Sequence, residues 1–276
     1  MSLRNLSLVL EYDGSSYHGW QRQNKGKTIQ GTIEEVGEKI LQEKITLCAS
    51  GRTDAGVHAI GQIASFTTSS NMPAETIKKA FNSLFPSRLR VIDVLDAPLS
   101  FHSRKSAVRK IYVYVFSSSP SPVFWQPFVY SFSPRDFNLA LVKECLPLLE
   151  GTHDFTSFSS SGGVGTSVRT IYSIQIEEKP RGLLRLWVEG NGFLYNMVRI
   201  IAGELWKVGI GKKKPEEIKF MLENPSRSFN RLVLPSRGLF LMQVCYLSDF
   251  NPYQNLELVD EGWIVPLWRK KSSRIK

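Results

Sequence analysis

Asp54 lies in a short polar segment that could present a carboxylate for chemistry. Gly51 and Gly56 bracket it, and glycine accepts backbone angles that other residues avoid, so the segment suits a tight loop. Arg52 places a guanidinium group two residues before the carboxylate. The same short pattern is also typical of a polar turn in which the aspartate accepts a hydrogen bond from a backbone amide. Evidence from the rest of the chain is therefore needed to distinguish a catalytic role for Asp54 from a role in a structural turn.

The composition favours a globular protein with a phosphate-rich partner. Hydrophobic residues make up 42% of the 276 residues and charged residues 22%, and the net charge is +10. An excess of clustered Lys and Arg is typical of nucleic-acid binding. The basic residues cluster at 88–90, 104–110, 212–214 and 269–276. The N-terminus has no signal-peptide pattern and no apolar run could span a membrane, so we expect a cytoplasmic protein.

Cysteines and histidines give no sign of a metal site. Cys48, Cys145 and Cys245 are single residues within apolar runs, which predicts buried, reduced thiols. The four histidines also stand alone in the sequence. Because no pair has the spacing of metal ligands, we expect no metal.

Hydrophobic periodicity in the first hundred residues predicts the order β-α-β-β-α-β. A helix begins at Thr28, where apolar residues recur at helical spacing, and a second helix begins at Pro73. Strands are predicted over 6–12, 45–48, 60–67 and 89–95, the first of them half-buried because its leucines alternate. This order is that of the ferredoxin-like fold.

The same order recurs in the second half. The predicted elements are a strand over 111–116, a helix over 136–149, a hairpin over 168–177 and 183–189, helices over 193–208 and after Pro215, and a strand over 239–246. We therefore predict an α/β (α+β) protein with two ferredoxin-like halves that share a central, largely antiparallel sheet flanked by helices. The predicted division is 1–104, 105–248 and a basic C-terminal extension, 249–276, in which residues 262–268 are expected to dock on the body.

Short motifs in a fixed order run from residue 8 to about residue 247. They occupy 12–14 with 19–21, 28–31, 51–59, 101–104, 110–114, 151–155, 192–199 and 235–239. Together they resemble the TruA family of tRNA pseudouridine synthases. The resemblance implies an isomerase that acts as a homodimer, without metal or organic cofactor, on the 3′ side of the tRNA anticodon stem-loop. It also implies base flipping, because the enzyme must detach N1 of uracil from the ribose and rejoin the base through C5.

The resemblance assigns catalytic roles to three residues. Asp54 matches the family's essential aspartate, a carboxylate nucleophile. Arg199 matches the arginine that pairs with it, and a nearby positive charge keeps a carboxylate ionised. Tyr112 matches the tyrosine that stacks on the target uracil and assists proton removal from C5. The residues alone leave alternatives open: Arg199 falls outside the apolar stripe of its helix and could be a solvated side chain, and Tyr112 could be a core aromatic, as Tyr114 is expected to be.

Three further residues are expected to bind the substrate. Arg52 suits an RNA phosphate or the displacement of the target base, and Leu239 matches the family's pocket-floor leucine. Lys110 stands where the family commonly has an arginine, which keeps the charge without the planar fork. Leu234 and Ser236 replace small apolar residues beside Pro235, so the pocket there differs from the family pattern.

Two other classes of protein explain the sequence less well. A non-catalytic RNA-binding protein with tandem RRM-like units shares the β-α-β-β-α-β order, yet no strand carries the aromatic pattern of such units, and the Asp54 segment would have no role. A metal-dependent nuclease or phosphotransferase requires clustered carboxylates, and no other carboxylate lies within ten residues of Asp54.

Overall fold

The computed structural model describes residues 3–117, 120–131, 137–160, 165–247, 250–262 and 264–271. The helices in this part of the chain are α1 (Ile29–Leu41), α2 (Ala74–Leu84), α3 (Leu139–Leu149), α4 (Met197–Gly209) and α5 (Pro215–Glu223). The strands are β1 (Arg4–Tyr12), β2 (Cys48–Ala49), β3 (His58–Thr68), β4 (Leu89–Ala97), β5 (Ala107–Ser117), β6 (Tyr130–Ser131), β7 (Gly151–Asp154), β8 (Val168–Lys179), β9 (Leu183–Gly190), β10 (Leu239–Tyr246), β11 (Leu256–Val259) and β12 (Leu267–Lys270). The α/β fold class predicted from the sequence is confirmed.

The chain forms two compact units. The first combines Met1–Val108 with Phe240–Lys276, and the second is the continuous stretch Arg109–Leu239. The first unit thus contains both ends of the chain. The sequence-based division at residues 104 and 248 follows chain order and stays a prediction about domains.

The first unit contains a ferredoxin-like sheet. Strand β1 pairs antiparallel with β3 and β4, and β2 pairs antiparallel with the far end of β3, which gives the order β4-β1-β3-β2. Strand β10 pairs parallel with the beginning of β3. Helix α2 packs on α1 and β4. This arrangement matches the predicted β-α-β-β-α-β order.

Strand β1 is buried on both faces, which differs from the half-buried strand that its alternating leucines predict. Leu8 and Val9 point to opposite faces, and neither is exposed to solvent. The side chain of Asn5 donates hydrogen bonds to the carbonyl oxygens of Pro98 and Phe101, both at 2.9 Å. The segment after β4 therefore covers the beginning of β1.

The segment before the Asp54 loop is less regular than predicted. Only Cys48–Ala49 pairs as a strand, although Ile45 and Leu47 are buried. The amide of Leu47 donates to the Glu34 side chain of α1, at 3.0 Å, instead of joining the sheet. A side-chain acceptor has thus replaced a strand partner, which shortens the predicted strand.

The second unit contains a sheet in the order β5-β9-β8-β7, with antiparallel neighbours, and β6 pairs parallel with β5. The predicted hairpin is confirmed: β8 and β9 are joined by a turn in which Arg181 and Gly182 have positive φ. Strands β6 and β7 were not predicted because each is too short to show a period. Helix α3 packs on α4, α5 and β8.

Helix boundaries in the second unit follow from particular residues. Helix α3 begins after Asn138, whose side chain accepts from the Leu141 amide at 3.1 Å. The predicted start at residue 136 lies outside the described residues. Helix α4 begins at Met197 rather than at residue 193, because Asn196 adopts a left-handed conformation with φ 61°. Residues 193–196 therefore form a loop that leads into the helix.

The C-terminal extension docks on the first unit through aromatic side chains. The Tyr253 hydroxyl donates to the Gly61 carbonyl oxygen at 2.6 Å and accepts from the Val244 amide at 3.1 Å. Trp268 stacks on Tyr253 with ring centres 4.5 Å apart and donates to the Met242 carbonyl oxygen at 3.0 Å. Within the stretch 262–268 that was expected to dock, Trp268 makes this contact with the body, and residue 263 lies outside the described residues.

No helix in the described part of the chain is long and apolar enough to cross a membrane.

Candidate active site

The loop that carries Asp54 is held by its neighbour Thr53. The Thr53 hydroxyl lies 2.8 Å from the Tyr12 hydroxyl, and the Thr53 carbonyl oxygen accepts from the Trp20 amide at 2.9 Å. Burial raises the pKa of Tyr12 to about 12, so this phenol stays protonated at neutral pH. Asp54 is half-buried, and its carbonyl oxygen accepts from the Val57 amide at 3.1 Å. The turn therefore presents the Asp54 side chain from a fixed backbone.

Two glycines allow the segment 14–20 to lie directly against this loop. A Cβ atom at Gly14 would lie 2.1 Å from the Val57 carbonyl oxygen, and one at Gly19 would lie 2.8 Å from the Thr53 carbonyl oxygen. Both distances are shorter than real carbon contacts, and the second glycine also has φ 87°. These two motifs, separate in the sequence, therefore form one structure around Asp54.

The beginning of the loop is fixed by buried polar groups. The Ser50 hydroxyl donates to the Gln62 side chain at 2.6 Å, and the amide of that side chain donates to the Gly51 carbonyl oxygen at 2.9 Å. Ser50 and Gln62 are both fully buried. Because buried polar groups are costly to leave without partners, this pair stabilises one path for the backbone. Arg52, next in the loop, is exposed to solvent.

Tyr112 lies on β5 opposite Val188 of β9 and is 8% exposed. Its ring meets the ring of Phe193 edge to face, with centres 5.2 Å apart. Lys110 is half-buried two residues earlier, on the same face of the strand. Tyr114 is fully buried and donates to the Pro235 carbonyl oxygen at 2.8 Å, which agrees with its expected place in the core.

Arg199 is a fixed, half-buried side chain on α4. Its Nε donates to the Leu234 carbonyl oxygen and one terminal nitrogen donates to the Asn196 side chain, both at 2.7 Å. The Leu234 amide in turn donates to the Arg199 carbonyl oxygen at 3.3 Å. The alternative of a freely solvated arginine is therefore wrong. The left-handed conformation of Asn196 brings its side chain within hydrogen-bond distance of the guanidinium group.

Glu204, further along α4, holds the same segment, a role that its neighbours in the sequence do not predict. It is fully buried, and one carboxylate oxygen accepts from the Leu232 amide and from Lys207, both at 2.8 Å. Lys213 lies 2.5 Å from the other oxygen. A Cβ at Gly203 would lie 2.1 Å from the Leu232 carbonyl oxygen, so the segment rests directly on the helix.

The segment 230–239 ends at Leu239, the last of the predicted site residues. A Cβ at Gly238 would lie 2.7 Å from the ring of Tyr114, and Leu239, next in the chain, is 7% exposed. We name this stretch the strap. It is bound to α4 at Leu232 and Leu234 and to β5 at Pro235, so Arg199 and Leu239 are fixed by a shared structural element.

The two units divide the predicted site residues between them. Arg52 and Asp54 share one loop of the first unit, and Lys110, Tyr112, Arg199 and Leu239 belong to the second. Their roles in the reaction stay predictions. In the described ranges, no group of three or more His, Cys, Asp or Glu residues is placed to hold a metal ion.

Known proteins resemble this chain over most of its length. The family model for tRNA pseudouridine synthase matches residues 8–104 and 146–247. A tRNA pseudouridine synthase A of Thermoanaerobacter sp. (strain X514) is 39% identical over 88% of this chain and 100% of that protein. A tRNA pseudouridine synthase A 2 of Clostridium tetani (strain Massachusetts / E88) is 41% identical over 88% of this chain and 99% of that protein.

One solved structure, that of the archaeal box H/ACA sRNP Nop10–Cbf5 complex, aligns with 87% of this chain and 46% of its own chain. Its TM-score is 0.33 and its identity is 11%. This likeness carries no argument about function.

The class defined by these matches is that of RNA-modifying isomerases. The chain belongs to the tRNA pseudouridine synthase family. The resemblance inferred from the motifs is confirmed, and the isomerase is favoured over both rival classes. The family match ends at residue 247, so the docked extension lies outside it.

Glu204→Gln should lower the free energy of unfolding by about 3 kcal/mol at neutral pH, because the change leaves two half-buried lysines without their buried anion. Burial raises the pKa of Glu204, but hydrogen bonds from Lys207, Lys213 and the Leu232 amide outweigh it, and the pKa is lowered overall. Its stabilisation is therefore complete above the unfolded pKa, about 4.3, and is lost as the pH falls through the folded value. Urea unfolding at several pH values measures this.

The matched control is Glu223→Gln on α5, because its exposed ion pair with Lys219 contributes at most about 1 kcal/mol. The expected result is a difference between Glu204→Gln and wild type that narrows below about pH 4. A difference that stays constant with pH would contradict the assignment of an ionised Glu204.

Proposed function

We propose that the protein converts uridine to pseudouridine on the 3′ side of the tRNA anticodon stem-loop, with Asp54 as the nucleophile. Membership of the family supports the reaction, and the rigid loop that presents the Asp54 carboxylate is the observation that carries the role of this residue. The substrate uridine must leave the base stack to reach such a carboxylate.

In this proposal the carboxylate of Asp54 adds to the nucleotide while the bond between N1 and the ribose breaks. The detached uracil turns, C5 forms the new bond to the ribose, and the bond between Asp54 and the nucleotide breaks, which frees the carboxylate again. The proton lost from C5 is balanced by the proton gained at N1, so no atoms are gained or lost. Arg199 supplies positive charge, and its hydrogen bond to the strap holds the guanidinium group in place.

Tyr112 provides an aromatic face for the uracil and assists removal of the C5 proton. The exposed position of Arg52 suits contact with RNA phosphate or displacement of the target base. Lys110 suits a phosphate as a point charge, and Leu239 forms part of the floor below the base. These substrate-binding roles rest on the family resemblance together with the burial and exposure of each residue.

Asp54→Asn should abolish pseudouridine formation and leave tRNA binding nearly unchanged. Asparagine keeps the size and polarity of the side chain but lacks the anionic oxygen, and contacts with phosphate dominate affinity for RNA. Pseudouridine mapping of treated tRNA, with a parallel binding assay, measures both effects. Asp96→Asn is the matched control, because Asp96 is exposed and pairs with Arg4. Turnover by the purified Asp54→Asn protein would remove this residue from the role of nucleophile.

Tyr112→Phe should reduce turnover by roughly 100-fold, the size of a general acid–base contribution. The ring remains for stacking, so the affinity for tRNA should not change. Tyr172→Phe on β8 is the control, because Tyr172 is 45% exposed and loss of its hydroxyl leaves the ring that Arg109 contacts. An unchanged rate in single-turnover measurements would restrict Tyr112 to a stacking role.

The protein is further proposed to act in the cytoplasm as a homodimer that binds tRNA through its positive surface. The net charge of +10 and basic clusters far apart in the sequence support a large contact with RNA. A dimer would double that surface through an isologous contact. Light scattering on the free protein should give twice the monomer mass of 31.3 kDa. A monomer with full activity would refute the dimer.

A further inference from the structure

The docked extension completes a groove on the first unit, and the side of the groove that the extension supplies lies outside the family match. Strand β12 lies beside α2 and β4 and encloses a cavity of about 450 Å³ between them. We name this cavity the tail groove. Among the side chains that line it are Lys78, Asn82, Arg90, Trp268, Arg269 and Lys270.

The groove is a built feature, because buried contacts fix the position of β12. Trp268 holds the strand through its bond to the Met242 carbonyl oxygen and its stack on Tyr253. Gly61 lets the Trp268 ring lie close to β3, because a Cβ at this position would lie 2.8 Å from the indole nitrogen. Strand β11 pairs with β12 along its length. The cations that follow Trp268 are therefore held beside those of α2 and β4.

The cations of the groove remain accessible to a ligand. The side chains of Arg90, Arg269 and Lys270 are 69%, 51% and 54% exposed. Each has an acidic neighbour, but exposed ion pairs are weak, so RNA phosphates can displace these carboxylates from the cations. Lys271, also exposed, extends the positive edge beyond the strand.

Three acidic residues contact these cations. Glu11 lies 3.6 Å from Arg90 and lines the groove itself. Glu75 lies 2.8 Å from Lys78 and 3.4 Å from Lys270. Glu261 pairs with Arg269. Asp93 also acts electrostatically on Lys270, so with Lys271 the groove and its edge have five cations against four carboxylates, and a positive excess of one remains.

We propose that the tail groove binds the phosphodiester backbone of the tRNA substrate, as a contact site formed by the extension. A phosphate backbone is bound by positive charges along an open groove and does not need a closed pocket. The tail groove fits this requirement, because it is open, has an excess of positive charge, and leaves its cations accessible. The contact supplies affinity and does not touch the reacting base. The proposal rests on the family's action on tRNA.

The experiment compares tRNA binding as a function of salt for three variants. Arg269→Gln combined with Lys270→Gln removes the cations of the extension, and Arg90→Gln removes one from the body of the unit. The double variant should raise the Kd about 10-fold at low salt and reduce the slope of log K against log salt by about 2. The single variant should reduce the slope by about 1. In both, KM should rise while kcat at saturating tRNA stays unchanged.

Glu11→Gln is the third variant, and it gives a result that misfolding cannot imitate. Glutamine has the same shape as glutamate but no charge, so it removes the repulsion between the groove wall and phosphate. Binding of tRNA should become about threefold tighter at low salt. An unchanged or weaker affinity would contradict phosphate binding at this wall.

Lys143→Gln combined with Lys219→Gln is the matched control for net charge. Both lysines are exposed on helices of the second unit, far along the chain from the groove. If this pair weakens binding as much as the double variant of the extension, general charge explains the effect and the groove proposal fails. If kcat falls instead of KM rising, the extension acts on the reaction and not on binding, and the proposal again fails.

Wild-type protein in the same assay separates this proposal from the proposed function. If wild type forms pseudouridine and the groove variants bind tRNA normally, only the tail groove is refuted. If wild type forms no pseudouridine in tRNA, the proposed function itself is refuted.

Discussion

Contact between two backbone segments, with no side chain between them, determines the geometry around Asp54. At Gly14 and Gly19 the chain passes so close to residues 53–57 that any side chain would displace one segment from the other. Such contacts cannot adjust by rotamer changes, since only the backbone is involved. The close approach fixes the distance between the two segments, and the hydrogen bonds of Thr53 fix their orientation. A carboxylate held in this way loses little freedom when a substrate arrives.

The second unit reaches a similar result by different means. There a buried carboxylate, Glu204, gathers two lysine side chains and one amide of the strap, and Arg199 takes a carbonyl oxygen two residues further along. The ion cluster is costly to bury, and the hydrogen bonds to every partner offset that cost. Removing one member leaves the others uncompensated, so the cluster stabilises a single position of the strap.

Features encoded by neighbouring residues could be predicted from the sequence, and features that depend on distant partners could not. Thr28 begins α1 as predicted because its side chain accepts from the Gly31 amide three residues later. Glu204 is a charged residue in a helix, which usually indicates a solvated face, and its partners Leu232 and Lys213 lie outside that helix. Helix α4 begins later than the sequence predicts, because the left-handed Asn196 also donates to Ser160, a partner 36 residues away that the local sequence does not show. The motifs around Asp54 were found, but their contact through Gly14 and Gly19 is visible only in the folded chain.

The parallel pairing of β10 with β3 has a consequence for synthesis of the protein. Residues 240–241 join a strand that begins at residue 58, and the extension that covers the same strands follows them. The ribosome therefore releases the whole of Arg109–Leu239 before the first unit can be completed. Until the final residues emerge, Gly61 and its neighbours on β3 lack the aromatic cover that the finished protein gives them. A nascent chain paused before residue 240 would consequently display an uncapped apolar sheet, a surface of the kind that chaperones bind.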